Sequence, residues 1–136
     1  MELEQYYQEL EEYLPLLGRV LLGGFFVFQG ITKLTGGFSG FVSYVESLGV
    51  PAATFVAGLV ILVEAVGGLA ILTGYKTRFV GTLMGAYLVV VNIVAHPFWV
   101  EADQLSAFMK NIGLVGGLLL QSAVGSDDYT LDSYLE

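Results

Sequence analysis

Four long apolar segments make up most of this chain and limit what it can fold into. They cover about residues 14–32, 51–73, 79–99 and 108–124. Each is close to the ~20 residues that an α-helix needs to cross the hydrocarbon core of a bilayer. Only 13% of the 136 residues are charged, whereas a soluble domain carries about 25%. The sequence therefore predicts an all-α fold, a transmembrane four-helix bundle.

The regions outside the apolar segments are short, and the two terminal ones are acidic. Residues 1–13 contain five glutamates and no basic residue, and their apolar residues recur at the spacing of an amphipathic helix. We expect this helix either to lie at the membrane interface or to extend the first span into the cytosol. Apolar residues within 38–48 recur in the same way and predict a second interfacial helix between the first two spans. Residues 14–124 then form the transmembrane domain, and 125–136 form an acidic tail.

The number of spans determines how the chain is arranged across the membrane. Four spans place both termini on one side, together with Lys76, Arg78 and, near the membrane edge, Arg19. Lys33 and Lys110 belong to the other side. Because cytoplasmic loops carry the excess of lysine and arginine, we expect a multi-pass protein of the cell membrane with both termini in the cytoplasm.

Composition excludes several kinds of chemistry. The chain has no cysteine, so thiol–disulfide exchange, iron–sulfur ligation and disulfide bonds are excluded. Its single histidine, His96, excludes bis-histidine haem within one chain. A net charge of −8 repels nucleic acid. No metal site, no cofactor and no autonomous catalytic centre are evident from the residues, which leaves enzymatic activity an open question.

Glu64 is the only ionisable residue in the apolar run 51–73. A charge at that depth is costly and normally faces other helices or a wet cavity. Counting about 1.5 Å per helical residue places Arg19 of the neighbouring span within reach of Glu64, so we predict an intramembrane ion pair between the two. The pair would either neutralise two charges for the fold alone or form part of a ligand or proton site.

A second set of polar residues gathers toward the opposite end of the predicted bundle. Residues four apart share a helix face, and this spacing relates the members on spans one and three. The candidate ligand-binding residues are Gln29, Lys33, Asn92, His96, Lys110 and Asn111. They could hold the polar head of an amphipathic molecule, with its tail among Phe25, Phe26 and Phe28 or in the lipid. Alternatively, they only reach interfacial water.

Glycines inside the spans predict close contacts between helices, since small residues let helix backbones approach in lipid. The predicted packing positions are Gly23, Gly30, Gly68, Gly81, Gly85, Gly113 and Gly117. These contacts would lie within one bundle or between protomers of a homo-oligomer.

Several stretches, taken in order, resemble the DoxX family of small four-helix membrane proteins. They are GRVLLGGFFVFQGITK (18–33), LGVP (48–51), EAVGGLAILTGYKTR (64–78), HPFW (96–99), FMKNIGLVGGLLL (108–120) and YTLD (129–132). The resemblance implies a bundle in the cytoplasmic membrane. The positions it points to are Arg19, Gly30, Lys33, Glu64, Gly68, Lys110 and Asn111. It also implies redox associations, including the quinone-reducing subunits of thiosulfate:quinone oxidoreductase. The lack of cysteine separates this chain from the thiol-using relatives of the wider clan.

Three functions follow as hypotheses. The first is a non-catalytic binding or assembly subunit that holds a small amphipathic ligand, or a partner protein, at a polar intramembrane cavity. The second is a quinone-linked subunit of a membrane oxidoreductase, whose electrons would come from a redox partner. The third is a small proton-coupled transporter, which fits intramembrane charges but has little enclosed volume in a single four-helix bundle.

Overall fold

The computed structural model describes residues 2–127 and 129–135, so Met1, Asp128 and Glu136 of the predicted acidic ends lie outside the described residues. Within these ranges the chain is helical, and no β-strand occurs. In chain order the helices are α1 (Glu2–Leu10), α2 (Leu14–Thr35), α3 (Phe38–Ser47), α4 (Ala53–Thr73), α5 (Thr77–Ala95), the 3₁₀ helix Ala102–Gln104, α6 (Leu105–Val124) and α7 (Leu131–Leu135).

Four of these elements are long and apolar enough to cross a membrane, which confirms the predicted all-α class and the four spans. The third span ends at Ala95, before the predicted limit of 99. The physical reason is Pro97, because the residue before a proline is pushed out of the α-helical region. The fourth helix starts at Leu105, ahead of the predicted 108.

Both short helices that the apolar spacing predicted are present as α1 and α3. Every described residue of α1 is exposed, including Leu3 and Tyr6. The short helix α7, in the acidic tail, was not predicted from the sequence.

The bundle consists of two closely packed helix pairs, α2 with α4 and α5 with α6. Glycines allow the first pair to touch backbone to backbone. A Cβ atom added at Gly68 would lie 2.7 Å from the Val27 amide nitrogen, and one at Gly23 would lie 2.6 Å from the Leu72 nitrogen. A Cβ at Gly30 would meet the Ala65 nitrogen at 2.8 Å.

The remaining predicted packing glycines differ from one another. A Cβ at Gly81 would lie 3.0 Å from the Leu118 carbonyl oxygen, so Gly81 serves the α5–α6 contact. At Gly85 and Gly117 a Cβ would make ordinary contacts of 3.6 and 3.5 Å. Gly113 has no neighbour within 4 Å of its would-be Cβ among the described residues, so its predicted packing role within this bundle is wrong. Contacts between protomers stay a prediction.

The two pairs meet in a small apolar core of Phe26, Ile71, Met84, Leu88 and Leu118. Although α4 and α5 are joined by a short turn, they make few direct contacts along their length. We call the end of the bundle that carries the start of α2 and the tail the terminal end, and the opposite end, beside α3, the far end.

Candidate functional site

The intramembrane carboxylate Glu64 lies near the middle of α4 and is 6% exposed. Its Oε2 atom is 2.7 Å from the Lys33 Nζ atom of α2. Its Oε1 atom accepts a hydrogen bond of 3.2 Å from the Tyr87 hydroxyl of α5. The Lys33 ammonium also lies 5.6 Å from the centre of the Phe41 ring of α3. Four helices thus supply groups to one buried charge cluster.

The predicted ion pair between Arg19 and Glu64 is wrong, because each charge has another partner. The glycine contacts place Gly23 opposite Gly68 and Leu72, so Glu64 lies nearly three helical turns, roughly 15 Å, further along α2 than Arg19. Helical side chains also lean toward the N-terminus of their helix. Arg19 therefore leans away from Glu64, whereas Lys33 leans back toward it.

Arg19 instead closes the terminal end of the bundle, where it is 0% exposed. It donates hydrogen bonds to the Leu72 carbonyl oxygen (2.9 Å) and to the Tyr129 carbonyl oxygen (3.1 Å). Its Nη2 atom lies 3.6 Å from the Asp127 carboxylate. Leu72 belongs to the last turn of α4, whose carbonyl groups lack partners within the helix. The guanidinium therefore joins α2, the end of α4 and the tail.

The tail also caps the start of α5 through Asp132. Its carboxylate accepts hydrogen bonds from the Lys76 amide (2.6 Å), the Thr77 amide (2.9 Å) and the Thr77 hydroxyl (3.0 Å). Burial raises the pKa of Asp132, but these hydrogen bonds and the Lys76 charge together outweigh it and hold that pKa below its usual 3.8. Negative charge is favourable at a helix N-terminus.

At the far end, the side chains of the two buried asparagines, Asn92 and Asn111, form hydrogen bonds to other protein groups. The Asn111 side-chain amide donates to the Asn92 side-chain oxygen (3.2 Å), and the Asn92 amide donates to the Phe108 carbonyl oxygen (3.1 Å). Asn92 is 1% exposed. Its two hydrogen bonds link α5 to α6.

His96 at the end of α5 bonds to the segment that leads into α6. Its Nδ1 atom lies 2.8 Å from the Gln104 side-chain oxygen. The oxygen can only accept, so Nδ1 donates the hydrogen of this bond. Beside this bond, the rings of Phe98 and Phe108 pack edge to face with centroids 4.8 Å apart.

These groups surround a polar pocket of about 140 Å³ on the far-end side of the core. Its lining comes from α2, α3, α4, α5 and α6. The lining residues are Phe25, Phe26, Gln29, Lys33, Tyr44, Val60, Glu64, Tyr87, Leu88, Val91, Ala95, His96, Lys110 and Asn111. Five of the six candidate ligand-binding residues line this pocket. The sixth, Asn92, lies behind it and bonds to Asn111.

Two tyrosines of the pocket were missed from the sequence. Tyr87 could have been found as the one phenol inside the third apolar span. Tyr44 lies on α3, and burial, followed by the negative charge of Glu101, raises its pKa above the usual 10.0. The Tyr44 hydroxyl therefore remains a hydrogen-bond donor at neutral pH. Phe28 is 65% exposed and points out of the bundle, unlike Phe25 and Phe26.

The pocket offers hydrogen bonding and charge, with more positive than negative groups. Lys33 is paired with Glu64, but Lys110 forms no ion pair within the part of the chain that the structure describes. No cluster of three His, Cys, Asp or Glu side chains that could hold a metal ion occurs among the described residues. Such a pocket can bind a polar head group or hold a proton.

Comparison with known proteins places the chain among small membrane proteins. It is 35% identical to inner membrane protein YqjF of Escherichia coli (strain K12) over 128 residues, which cover 94% of this chain and 96% of that one. It is 27% identical to inner membrane protein YphA of the same strain, with 88% of each chain covered. The putative oxidoreductase CatD of Bacillus subtilis (strain 168) is 35% identical over 93 residues, or 65% of this chain and 66% of CatD.

No solved structure matches the chain at a significant level. The sequence profile of the DoxX family matches residues 14–97, which include the first three spans and most of the polar pocket. Together with the near-full-length similarity to YqjF, this match shows that the chain is a membrane protein of the DoxX family.

Proposed function

We propose that this chain is a non-catalytic binding subunit that holds the polar head of a small amphipathic molecule in the polar pocket. The supporting observation is the cluster of Lys33, Glu64 and Tyr87 in one pocket with Lys110, which has no ion pair among the described residues. A bundle that needed only to neutralise Glu64 would be satisfied by Lys33. Lys110 and the Tyr44 hydroxyl supply binding capacity beyond this ion pair.

The binding proposal is tested by asking what the purified protein carries. The protein is extracted in a mild detergent, its bound organic molecules are identified by mass spectrometry, and the wild type is compared with Lys110→Gln. Lys110 is exposed on the pocket rim, so its replacement should leave the fold intact. Lys76→Gln, which removes an exposed lysine at the terminal end, is the matched control.

We expect the wild type and Lys76→Gln to carry the same enriched molecule. Lys110→Gln should carry about tenfold less, the loss expected when a charged hydrogen-bond partner is removed. Identical profiles in all three proteins would overturn the proposal and favour a purely structural charge cluster. In that case the chain would serve as an assembly subunit for a membrane partner, to be identified by affinity purification with crosslinking.

A quinone-linked role is the second candidate, favoured by the similarity to CatD, which is named a putative oxidoreductase. Quinone carbonyl oxygens would accept hydrogen bonds from the donors in the pocket, namely Lys33, Lys110 and Tyr44. Electrons would then pass between the quinone and a partner protein. Titration with ubiquinone and menaquinone tests this role. A lack of binding would exclude it, and so would binding at this pocket that Glu64→Gln leaves unchanged.

Transport is the third candidate. The tail and Arg19 pack tightly over the terminal end, which favours a pocket with one entrance over a route across the membrane. A flux assay in proteoliposomes tests whether the protein transports a solute.

A further inference from the structure

We infer that the ligand of the polar pocket is a single-chain carboxylate amphiphile that enters sideways from the bilayer, with its chain seated in an apolar groove between α3, α4 and α5. This inference rests on the proposed binding function and names the ligand class for the same site.

The apolar groove has a volume of about 290 Å³ and a wholly apolar exposed lining. It lies between the first half of α4, the second half of α5 and the end of α3. Its lining residues are Val45, Leu48, Val50, Val56, Leu59, Val60, Val63, Tyr87, Val90, Val91, Val94 and Ala95. Groups of this kind provide contact area for a hydrocarbon chain and no hydrogen bonds.

The groove and the polar pocket adjoin each other. Val60 of α4 and Tyr87, Val91 and Ala95 of α5 line both. Tyr87 belongs to the lining of the groove, and its hydroxyl donates a hydrogen bond to Glu64 in the polar pocket. One surface therefore changes from polar to apolar within the length of a side chain, which is the arrangement that an amphiphile requires.

The volumes of the two cavities also support a ligand with a polar head in the pocket and an apolar chain in the groove. The polar pocket of about 140 Å³ is smaller than the ~300–1,000 Å³ of typical ligand sites. Together with the adjoining groove of about 290 Å³ it reaches that range. The pocket alone thus suits a compact head such as a carboxylate, and the groove suits the chain attached to it.

The packing of the bundle indicates that the ligand enters from the side. Glycine contacts close the α2–α4 seam, and Gly81 lies in the close contact between α5 and α6. The terminal end is closed by Arg19 and by the Asp132 cap. The groove lies in the far-end half of the seam between α4 and α5, where the two helices make few direct contacts, so this seam supplies an opening toward lipid.

Charge determines the nature of the head group. The pocket contains two lysines, Lys33 and Lys110, and one carboxylate, Glu64. Among the other titratable groups that face it, Tyr44 and Tyr87 are phenols and His96 is bonded to the neutral Gln104. Lys110, on the rim, pairs with no carboxylate among the described residues, so a negative head group would give its charge a partner. Its oxygens would accept hydrogen bonds from the Lys110 ammonium and the Tyr44 hydroxyl.

The test uses the full chain in nanodiscs and a hexadecanoic acid that carries a photoreactive diazirine near its methyl end. After irradiation, crosslinked peptides are mapped by mass spectrometry. Val90→Trp fills the groove, and Leu120→Trp places the same ring on the outer face of α6, where Leu120 is 71% exposed. Size-exclusion profiles and thermal midpoints of the two variants establish that both fold.

We expect labelling to concentrate on the segments 45–50 and 90–94. Val90→Trp should reduce this labelling about tenfold, as overpacking excludes the chain, and Leu120→Trp should leave it unchanged. Unlabelled hexadecanoic acid should compete for labelling, whereas butanoic acid, which lacks the chain, should not.

Three results would overturn the inference. Labelling spread evenly over the lipid-facing helices and insensitive to Val90→Trp would exclude the groove. Competition by decylubiquinone without competition by hexadecanoic acid would exclude the carboxylate head, and competition by a diacyl phospholipid alone would exclude a single chain. If Lys110→Gln still removes the co-purified molecule in any of these cases, the groove inference fails while the proposed binding function stands.

Discussion

Lys33 of α2 reaches back along its own helix to pair with Glu64 of α4, at 2.7 Å between the Nζ and Oε2 atoms. This pair is the reason that a carboxylate is tolerated at mid-bundle, and it also forms one wall of the polar pocket. Under the proposed binding function, structural and functional roles overlap at Glu64, and experiments must separate them.

Removing the Glu64 charge is expected to destabilise the fold. In Glu64→Gln, the Lys33 ammonium loses its charged partner and Tyr87 loses its acceptor, at a cost of about 2 kcal/mol in the free energy of unfolding. Adding Lys33→Gln should recover part of the loss, giving a coupling energy of about 1 kcal/mol. Thermal unfolding in detergent measures these changes. Glu46→Gln, at an exposed position of α3, is the control. Additive effects of the two substitutions would contradict the pairing.

Gly68→Ala is expected to separate α2 from α4. The added methyl would lie 2.7 Å from the Val27 nitrogen and 2.9 Å from the Gly23 oxygen, and neither backbone atom can move alone. Overpacking of this kind costs about 1–3 kcal/mol. Gly58→Ala is the matched control, because no atom lies within 4 Å of its would-be Cβ among the described residues. It should be neutral or slightly stabilising, since alanine favours helix. Equal thermal midpoints for both variants would disprove the close contact.

Arg19→Lys is expected to release the tail. Lysine keeps the charge but cannot reach the Leu72 and Tyr129 carbonyl oxygens and Asp127 at once, because it lacks the planar fork of arginine. Hydrogen–deuterium exchange of the peptide covering 129–135 should become about tenfold faster, whereas peptides of α3 should be unchanged. Unaltered exchange in the tail would show that Arg19 does not hold it.

Acid is expected to weaken the cap that Asp132 forms on α5. The folded-state pKa of this carboxylate is lowered, so its contribution is present above the unfolded-state pKa of about 3.8 and is lost as the pH falls through the lower folded value. Protection of the Lys76 and Thr77 amides should therefore decrease from pH 5 to about pH 3. Exchange measured in the wild type and in Asp132→Asn tests this. The variant should have low protection at both pH values, and a wild-type-like decrease in it would point to other carboxylates.

The fold could be predicted because the four spans depend on hydrophobic length alone, and helix ends such as that before Pro97 follow local rules. Most of the polar residues that line the pocket could also be predicted, since polar residues inside apolar spans are few. The partner of each buried charge could not be predicted. Arg19 and Glu64 are close in depth when counted from the span ends, but the glycine contacts set a different register and the side chains lean in opposite directions.

The role of the tail was beyond sequence reasoning for a different reason. Asp127, Tyr129 and Asp132 lie in a polar segment whose composition is that of a solvated terminus. What fixes them is the set of unpaired backbone groups at the end of α4 and the start of α5. Those groups become partners only after the helices have packed.

The most direct test of the binding claim is a high-resolution structure of the protein purified into lipid nanodiscs without added ligand. We predict non-protein density in the polar pocket, with an oxygen-bearing head within about 3 Å of the Lys110 ammonium. The density should continue past Tyr87 into the apolar groove. A pocket that contains only ordered water, or that is closed by rearranged side chains, would contradict the claim.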